Sequence, residues 1–174
     1  MPQDDQVMNP NKLSIKLAHP SGLWRVVFRF PILLYRLNLG WLFGERALLL
    51  EHRGRKSGII RKAVVEVVDH DLQKDSYTVA AAWGKQSDWY KNIEAQPNVS
   101  VEVGTKRFAA FAKTLSTEEA AQHLSAYASR HPFAFRQLGA HLFGLKTHDT
   151  AQIIKSLSEA FPLVEFIPAG GKEA

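Results

Sequence analysis

From residue 47 to the end of the chain, apolar residues fall in short blocks separated by polar or glycine-containing turns. Blocks of this length that are rich in valine and other β-branched residues are typical of strands. Six strands are predicted, at 47–52, 62–69, 76–82, 99–103, 107–115 and 163–168. Because most of them are joined by short turns, the pattern predicts an α+β fold in which helices pack outside an antiparallel sheet or barrel.

Three segments between the strands carry the signals of helices. Ser87 is the expected N-cap of the first, and Pro97 stops it. The S-x-x-E pattern of Ser116 and Glu119 predicts a capping box that opens the second helix. The third helix is predicted over about 149–161.

The most apolar part of the chain is the segment 21–43, which precedes the strands. As a helix it would carry Arg25, Arg29 and Arg36 in one stripe on an otherwise apolar surface, and Pro31 would kink or divide it. Its longest charge-free run is eight residues, far short of the about 20 that a membrane span requires. Two interpretations stay open: the segment binds at the surface of an anionic membrane, or it packs on the core or a partner subunit.

The chain is therefore expected to consist of a flexible lead (1–20), an amphipathic basic helical segment (21–44) and one domain (45–170). The lead has neither the basic start nor the apolar stretch of a secretory signal. We therefore expect a cytoplasmic protein, either free or peripheral on the inner face of the cell membrane.

The composition limits the kinds of catalysis, metal site and ligand that this chain can support. The 174 residues include no cysteine, which excludes disulfides, thiolate catalysis and cysteine-ligated metals. The seven histidines form no H-x-x-x-H pair, so no metal site is predicted. Residues 1–62 hold eleven Lys/Arg against four Asp/Glu, a net charge of +7, whereas the remainder holds eleven against thirteen. Such a basic region suits an anionic ligand or membrane, and no motif for nucleic-acid binding accompanies it.

Much of this charge lies in the stretch "EHRGRKSGIIRK", between the first two predicted strands. Gly54 and Gly58 allow a ligand to approach the backbone closely. Arg55 and Lys56 add positive charge, and the Ser57 hydroxyl adds a hydrogen bond. The turn is either a cradle for a phosphate or polycarboxylate, or a solvated loop. It is not a Walker loop, because it leads into a strand and lacks the required pattern.

A second stretch, "AAAWGKQSDWYKN" at 80–92, follows the third strand. Small residues at a strand end leave room for a planar ligand, and Gly84 permits close backbone approach. Trp83, Trp89 and Tyr90 supply aromatic surface, which serves equally well to line a pocket or to fill a core.

These two stretches in this order, followed by "IEAQPNVSVEVGTKRFAAFA", resemble the deazaflavin-dependent nitroreductase family of the flavin/deazaflavin oxidoreductases. The pattern is a G-R-K-[ST]-G-x-x-R turn, a strand ending in a glycine turn, a W-Y-x-N-[LI] helix and a glycine hairpin, over about residues 45–113. The resemblance implies a split β-barrel of the FMN-binding, flavin-reductase type. It also implies that the G-R-K-[ST]-G turn holds the phosphate and oligoglutamyl tail of coenzyme F420, a 5-deazaflavin.

Carried over to this chain, the family pattern assigns residues to three parts of a cofactor site. The tail-binding group is Gly54, Arg55, Lys56, Ser57, Gly58 and Arg61. The ring-flanking group is Val64, Val65, Ala81, Ala82, Trp83 and Gly84, with Trp89 closing the pocket. The Trp83-Gly84-Lys85 turn departs from the Ser/Asn-Gly-Gly that is common in the family.

The implied activity is hydride transfer from reduced F420 to an apolar acceptor such as a quinone or a nitro or enone compound. Nitroreduction of drugs is not predicted, because the chain lacks an obvious C-terminal tyrosine cluster. Tyr90, Tyr127, His131 or water could protonate the product. Two alternatives stay open: the same barrel carrying FMN, and a deazaflavin-binding carrier without turnover. A homodimer is an expectation at the level of the family.

Overall fold

A computed structural model describes residues 44–81, 83–133, 135 and 149–170. Its six strands are β1 (Ala47–Arg53), β2 (Ile60–Asp71), β3 (Ser76–Ala80), β4 (Asn98–Val103), β5 (Lys106–Thr114) and β6 (Leu163–Pro168). They form a closed barrel in the order β1-β2-β3-β6-β5-β4, and every pairing is antiparallel. The predicted antiparallel barrel is confirmed. Its closure depends on β6, which comes last in the chain and pairs with both β3 and β5.

The described residues include the α-helices α1 (Asp88–Ala95), α2 (Thr117–Arg130) and α3 (Thr150–Ala160), and a short 3-10 helix at Gly84–Gln86. The predicted capping box opens α2: Glu119 N–H donates to Ser116 Oγ over 3.2 Å, and Ser116 N–H donates to Glu119 Oε2 over 2.8 Å. Ser87 does precede α1, but its hydroxyl makes no capping bond and is buried without a hydrogen-bond partner.

The barrel interior forms the first of two hydrophobic cores. Successive side chains of a strand point to opposite faces. In β1, Leu48 and Leu50 therefore point inward and meet Val65 of β2. Helix α1 contributes its apolar side to the same core. The buried residues of this helix are Trp89, Tyr90, Asn92 and Ile93.

The second core lies between the outer surface of the barrel and the helices α2 and α3. Leu124 of α2 and Leu157 of α3 pack there with Leu163 at the start of β6. An ion-pair cluster adds to this packing, because Asp69 of β2 accepts hydrogen bonds from His123 Nδ1 (2.8 Å) and from Arg130, both on α2. These contacts hold α2 against β2.

The observed strands differ from the predicted ones at their ends. β2 begins at Ile60 and ends at Asp71, two residues beyond each predicted limit, while β3 ends at Ala80 rather than Ala82. The predicted lead 1–20 and the segment 21–43 lie outside the described residues. Within the part of the chain that is described, no helix is long and apolar enough to cross a membrane.

Candidate functional site

The basic stretch forms the tight connection between β1 and β2. Gly54 N–H donates to the Ile59 carbonyl over 2.9 Å, and Gly58 N–H donates to the Gly54 carbonyl over 2.7 Å. Gly58 has φ +66°, a conformation that favours glycine. A Cβ on Gly54 would lie 2.8 Å from Ser57 Oγ and 3.1 Å from Arg61 Nε. A side chain at 54 would therefore require the Ser57 or Arg61 side chain to shift.

Arg55 does not project from this turn as a free cation. Its guanidinium donates to Asn92 Oδ1 over 2.9 Å and to Asp88 Oδ1 over 3.2 Å, both on α1. Its backbone N–H also donates to Asn92 Oδ1, over 3.0 Å. The two motifs on which the family resemblance depends, the glycine turn and the W-Y-x-N helix, are therefore in direct contact. Arg55 anchors the turn to α1, and its predicted contact with a cofactor tail stays a prediction.

Sequence reasoning missed the two residues that complete this anchor, His52 and Asn92. The Asn92 amide nitrogen lies 3.1 Å from His52 Nδ1, and both side chains are buried, with exposed fractions of 2% and 5%. Burial lowers the pKa of His52, and the nearby Arg61 lowers it further, against opposing effects of the Arg53 backbone and Asp88. Asn92 could have been found as the Asn of the W-Y-x-N pattern, whereas nothing in the sequence marks His52.

Besides Arg55, three cations of the stretch 53–61 are exposed: Arg53, Lys56 and Arg61. None of them takes part in the ion pairs found among the described residues. Lys62, by contrast, pairs with Glu51, which also binds Arg107. One cation of the stretch therefore anchors the turn, and the other three can interact with an anion. We call Lys56, Ser57 and Arg61 the cradle.

The two valines predicted to flank a ring do not lie on one face. Val65 is 8% exposed and belongs to the core inside the barrel, so its neighbour Val64 faces the outer surface, where it is half-buried. A ligand outside the barrel can meet Val64 but not Val65. The two side chains therefore point to opposite faces of β2, and the predicted contact of both valines with the ring stays a prediction.

The glycine turn after β3 has a packing role as well. Gly84 has φ +60°, and a Cβ there would lie 3.3 Å from the Ala160 carbonyl at the end of α3. Ala81 is fully buried in the barrel core, Trp83 is half-buried, and Ala82 lies outside the described residues. Trp89 is buried in the barrel core, edge-to-face with Tyr90 at 6.1 Å. The described members of this group therefore fill space within the protein, and their predicted contact with a cofactor stays a prediction.

The candidate proton donors fall into two separate places. Tyr90 is buried at α1, where burial raises the pKa of its hydroxyl and Thr114 lies within hydrogen-bonding reach. Tyr127 and His131 are in contact at the end of α2, with ring centroids 5.0 Å apart. Burial also raises the pKa of Tyr127, and the Glu66 carboxylate of β2 raises it further. The structure thus brings Tyr127 and His131 together and separates them from Tyr90.

Comparison with known proteins gives the family. A family model described as F420H(2)-dependent quinone reductase matches residues 36–140, more than half of the chain. Rv3178 of Mycobacterium tuberculosis, named as a candidate F420H(2)-dependent quinone reductase, is 32% identical over 89 residues, which is 50% of this chain and 73% of Rv3178.

Solved structures also match this chain, and one with a TM-score of 0.50 agrees with the fold. Atu2129 of Agrobacterium tumefaciens, of unknown function, matches with a TM-score of 0.50 and 15% identity over 82% of this chain and 56% of its own. An F420H2-dependent reductase, FDR-A, matches with a TM-score of 0.49 and 21% identity over 71% of this chain and 95% of its own.

The predicted deazaflavin-dependent class is confirmed, and the matched family is named for quinone acceptors rather than nitro compounds. Its reductant is F420H2, not the FMN of the alternative interpretation. The chain therefore belongs to the F420H(2)-dependent quinone reductases, and it is an oxidoreductase whose cofactor is coenzyme F420.

Proposed function

We propose that this chain holds the anionic tail of F420 in the cradle of Lys56, Ser57 and Arg61 and reduces an apolar quinone beside the outer face of β2. Bound F420H2 supplies the hydride. The tasks left to the protein are to bind the tail, orient the two reactants and deliver one proton, because a quinone takes up one hydride and one proton to become a hydroquinone.

The observation that carries the proposal is the set of exposed cations around one glycine turn. Lys56 and Arg61 have no carboxylate partner among the described residues, although five cations stand between positions 53 and 62. Like charges so close together repel one another unless an anion neutralises them. A phosphodiester with several carboxylates, as the family resemblance implies, can pair with these positively charged donors. Gly54 has no side chain, so the backbone of the turn occupies little space next to them.

In this proposal the quinone binds next to the outer face of β2. Val64 and Glu66 share that face, and Glu66 lies close enough to Tyr127 to raise its pKa. Since burial also keeps the Tyr127 hydroxyl protonated at neutral pH, Tyr127 is the proposed proton donor to the reduced quinone, with His131 beside it. Tyr90 is set aside, because it is buried within the barrel core.

The test is F420 binding, followed by fluorescence, together with quinone-dependent oxidation of F420H2 followed by absorbance. Removing one exposed cation from about 4 Å of an anion costs about 1 kcal/mol in water, so Lys56→Ala and Arg61→Ala should each weaken binding about fivefold. The loss should shrink near 1 M salt, where the screening length is about 3 Å.

Lys62→Ala is the matched control, because it removes an adjacent cation that is already paired with Glu51. It should bind F420 like the wild type. Equal binding by all three variants at low salt, or an equal loss in the control, would contradict the assigned cradle.

We also propose that residues 21–43 bring the enzyme to an anionic membrane surface, where apolar quinones partition. The support is in the sequence alone: three arginines in one stripe of an otherwise apolar segment. The wild type should bind vesicles that contain anionic lipid and not neutral ones. If a variant that lacks residues 12–43 binds these vesicles equally well, the membrane proposal is refuted. That the protein forms a homodimer stays a prediction.

A further inference from the structure

The hydrogen bonds that join Arg55, Asn92 and His52, which we call the anchor, allow only one consistent arrangement of donors and acceptors. The Arg55 backbone N–H and guanidinium can only donate, so Asn92 must turn its oxygen towards them. The Asn92 NH2 group then faces His52 Nδ1 at 3.1 Å. This nitrogen must therefore accept, which requires a neutral imidazole with its proton on Nε2.

Building on the proposed function, we propose that His52 is a pH-sensitive positioning residue, whose neutral form alone holds Asn92 in the orientation that fixes Arg55 and the cradle. A proton on Nδ1 sets two donors face to face. Turning the Asn92 amide over does not help, since its NH2 group would then meet the two donors of Arg55. Protonation thus removes either the His52–Asn92 bond or the two Arg55–Asn92 bonds, and with them the connection between the turn and α1.

Burial of the ring is the largest influence that favours the neutral state of His52. Arg61 is its cross-strand partner on β2 and disfavours a second positive charge. Asp88 on α1 acts in the opposite direction, and so does the Arg53 backbone, but burial of the ring outweighs both. The switch therefore operates below the ordinary histidine range of about pH 6.5.

This mechanism predicts a pH dependence of F420 binding opposite to that expected from charge attraction alone, so the two can be distinguished. A new positive charge near the cradle would by itself strengthen binding of a polyanionic tail as the pH falls. Loss of the anchor would instead weaken it, by the worth of about one buried hydrogen bond, or roughly fivefold to tenfold.

The experiment measures the F420 dissociation constant by fluorescence from pH 8 to pH 4.5 for wild type, His52→Asn and Asn92→Asp. Asparagine at 52 offers an acceptor near the position of Nδ1 that does not titrate. The ratio of wild type to His52→Asn at each pH cancels any titration of the ligand. We expect wild type to lose affinity against His52→Asn as the pH falls, by up to about fivefold to tenfold, because the charge that His52 gains offsets part of the loss. His123→Asn is the matched control, since it removes another histidine whose Nδ1 is bonded but which lies on α2, and its ratio should stay flat.

Asn92→Asp should remove the pH dependence, because a carboxylate accepts from Arg55 and also from His52 Nδ1–H, in the neutral tautomer that carries its proton on Nδ1 as well as in the protonated ring. Its affinity should therefore improve relative to wild type as the pH falls. A flat wild-type to His52→Asn ratio, or the same trend in wild type and Asn92→Asp, overturns the proposal.

A second readout needs no cofactor. NMR of the ligand-free protein should show His52 with its proton on Nε2 at pH 8, and the Arg55 amide resonance should shift as His52 titrates. A proton on Nδ1 at pH 8, or an Arg55 amide indifferent to that titration, overturns the proposal. If no variant binds F420 at any pH, the proposed function fails, while the NMR result still decides the role of His52.

Discussion

Replacing Arg55 with alanine separates anchoring from ligand binding. The change removes the guanidinium bonds to Asn92 Oδ1 and Asp88 Oδ1 but leaves the backbone N–H bond to Asn92 in place. The Asp88 side chain is 86% exposed, so that ion pair contributes at most a few tenths of a kcal/mol. The bond to the buried Asn92 oxygen is worth about 1 kcal/mol. Arg55→Ala should therefore lower the free energy of unfolding by about 1 to 1.5 kcal/mol.

For a domain of this size such a loss lowers Tm by roughly 3–6 °C, which differential scanning calorimetry resolves. The shift should persist in high salt, because most of it comes from a hydrogen bond to a neutral amide rather than from an ion pair. Arg53→Ala is the matched control in the same turn, since its side chain makes one long bond, 3.4 Å to the Gly58 carbonyl. It should shift Tm by less than about 2 °C.

The refuting result is specific. If Arg55→Ala melts like the wild type but loses F420 affinity as Lys56→Ala does, with the same dependence on salt, then Arg55 contacts the tail and does not anchor the turn. If instead stability falls and the residual loss of affinity is insensitive to salt, the anchoring role is supported.

Three further substitutions test the turn and the helix that packs on the barrel. Gly54→Ala places a Cβ 2.8 Å from Ser57 Oγ, so we expect weaker F420 binding and a lower Tm; unchanged values would show that the turn has room for it. Ser116→Ala removes the cap of α2 and should lower the free energy of unfolding by about 1 kcal/mol in urea denaturation, with F420 affinity unchanged. Asp69→Asn weakens the contacts with Arg130 and His123 and should cost up to about 1 kcal/mol at neutral pH. Although burial raises the pKa of Asp69, its hydrogen bonds lower it overall, so the difference from wild type should be complete above pH 4 and fade as the pH falls further; a constant difference would contradict the ion pair.

Most of the fold was accessible from local patterns. The S-x-x-E box, the valine-rich strands and the glycine turns each act within a few residues, and the structure has them where they were predicted, apart from strand ends shifted by about two residues. Strand pairing was not accessible in this way. β6 closes the barrel by pairing with β3 and β5, and no pattern within β6 specifies those neighbours.

For the site, the direction of strand side chains is equally local. Val64 and Val65 are adjacent in β2, so their side chains point to opposite faces, and this follows without coordinates. The partners of Arg55 were beyond such reasoning. They lie 33 and 37 residues away, and His52 lies 40 residues from the Asn92 that it orients.

The sequence by itself determined the element order, the glycine turn with its cations and the family pattern, because turn chemistry and strand periodicity are local properties of the chain. Only the tertiary structure decided which of these cations remain available to bind an anion. Arg55 and Lys62 find partners on α1 and β1, whereas Lys56 and Arg61 find none among the described residues. The physical reason is that a charge's role depends on the groups within about 4 Å of it, and packing rather than sequence distance brings those groups together.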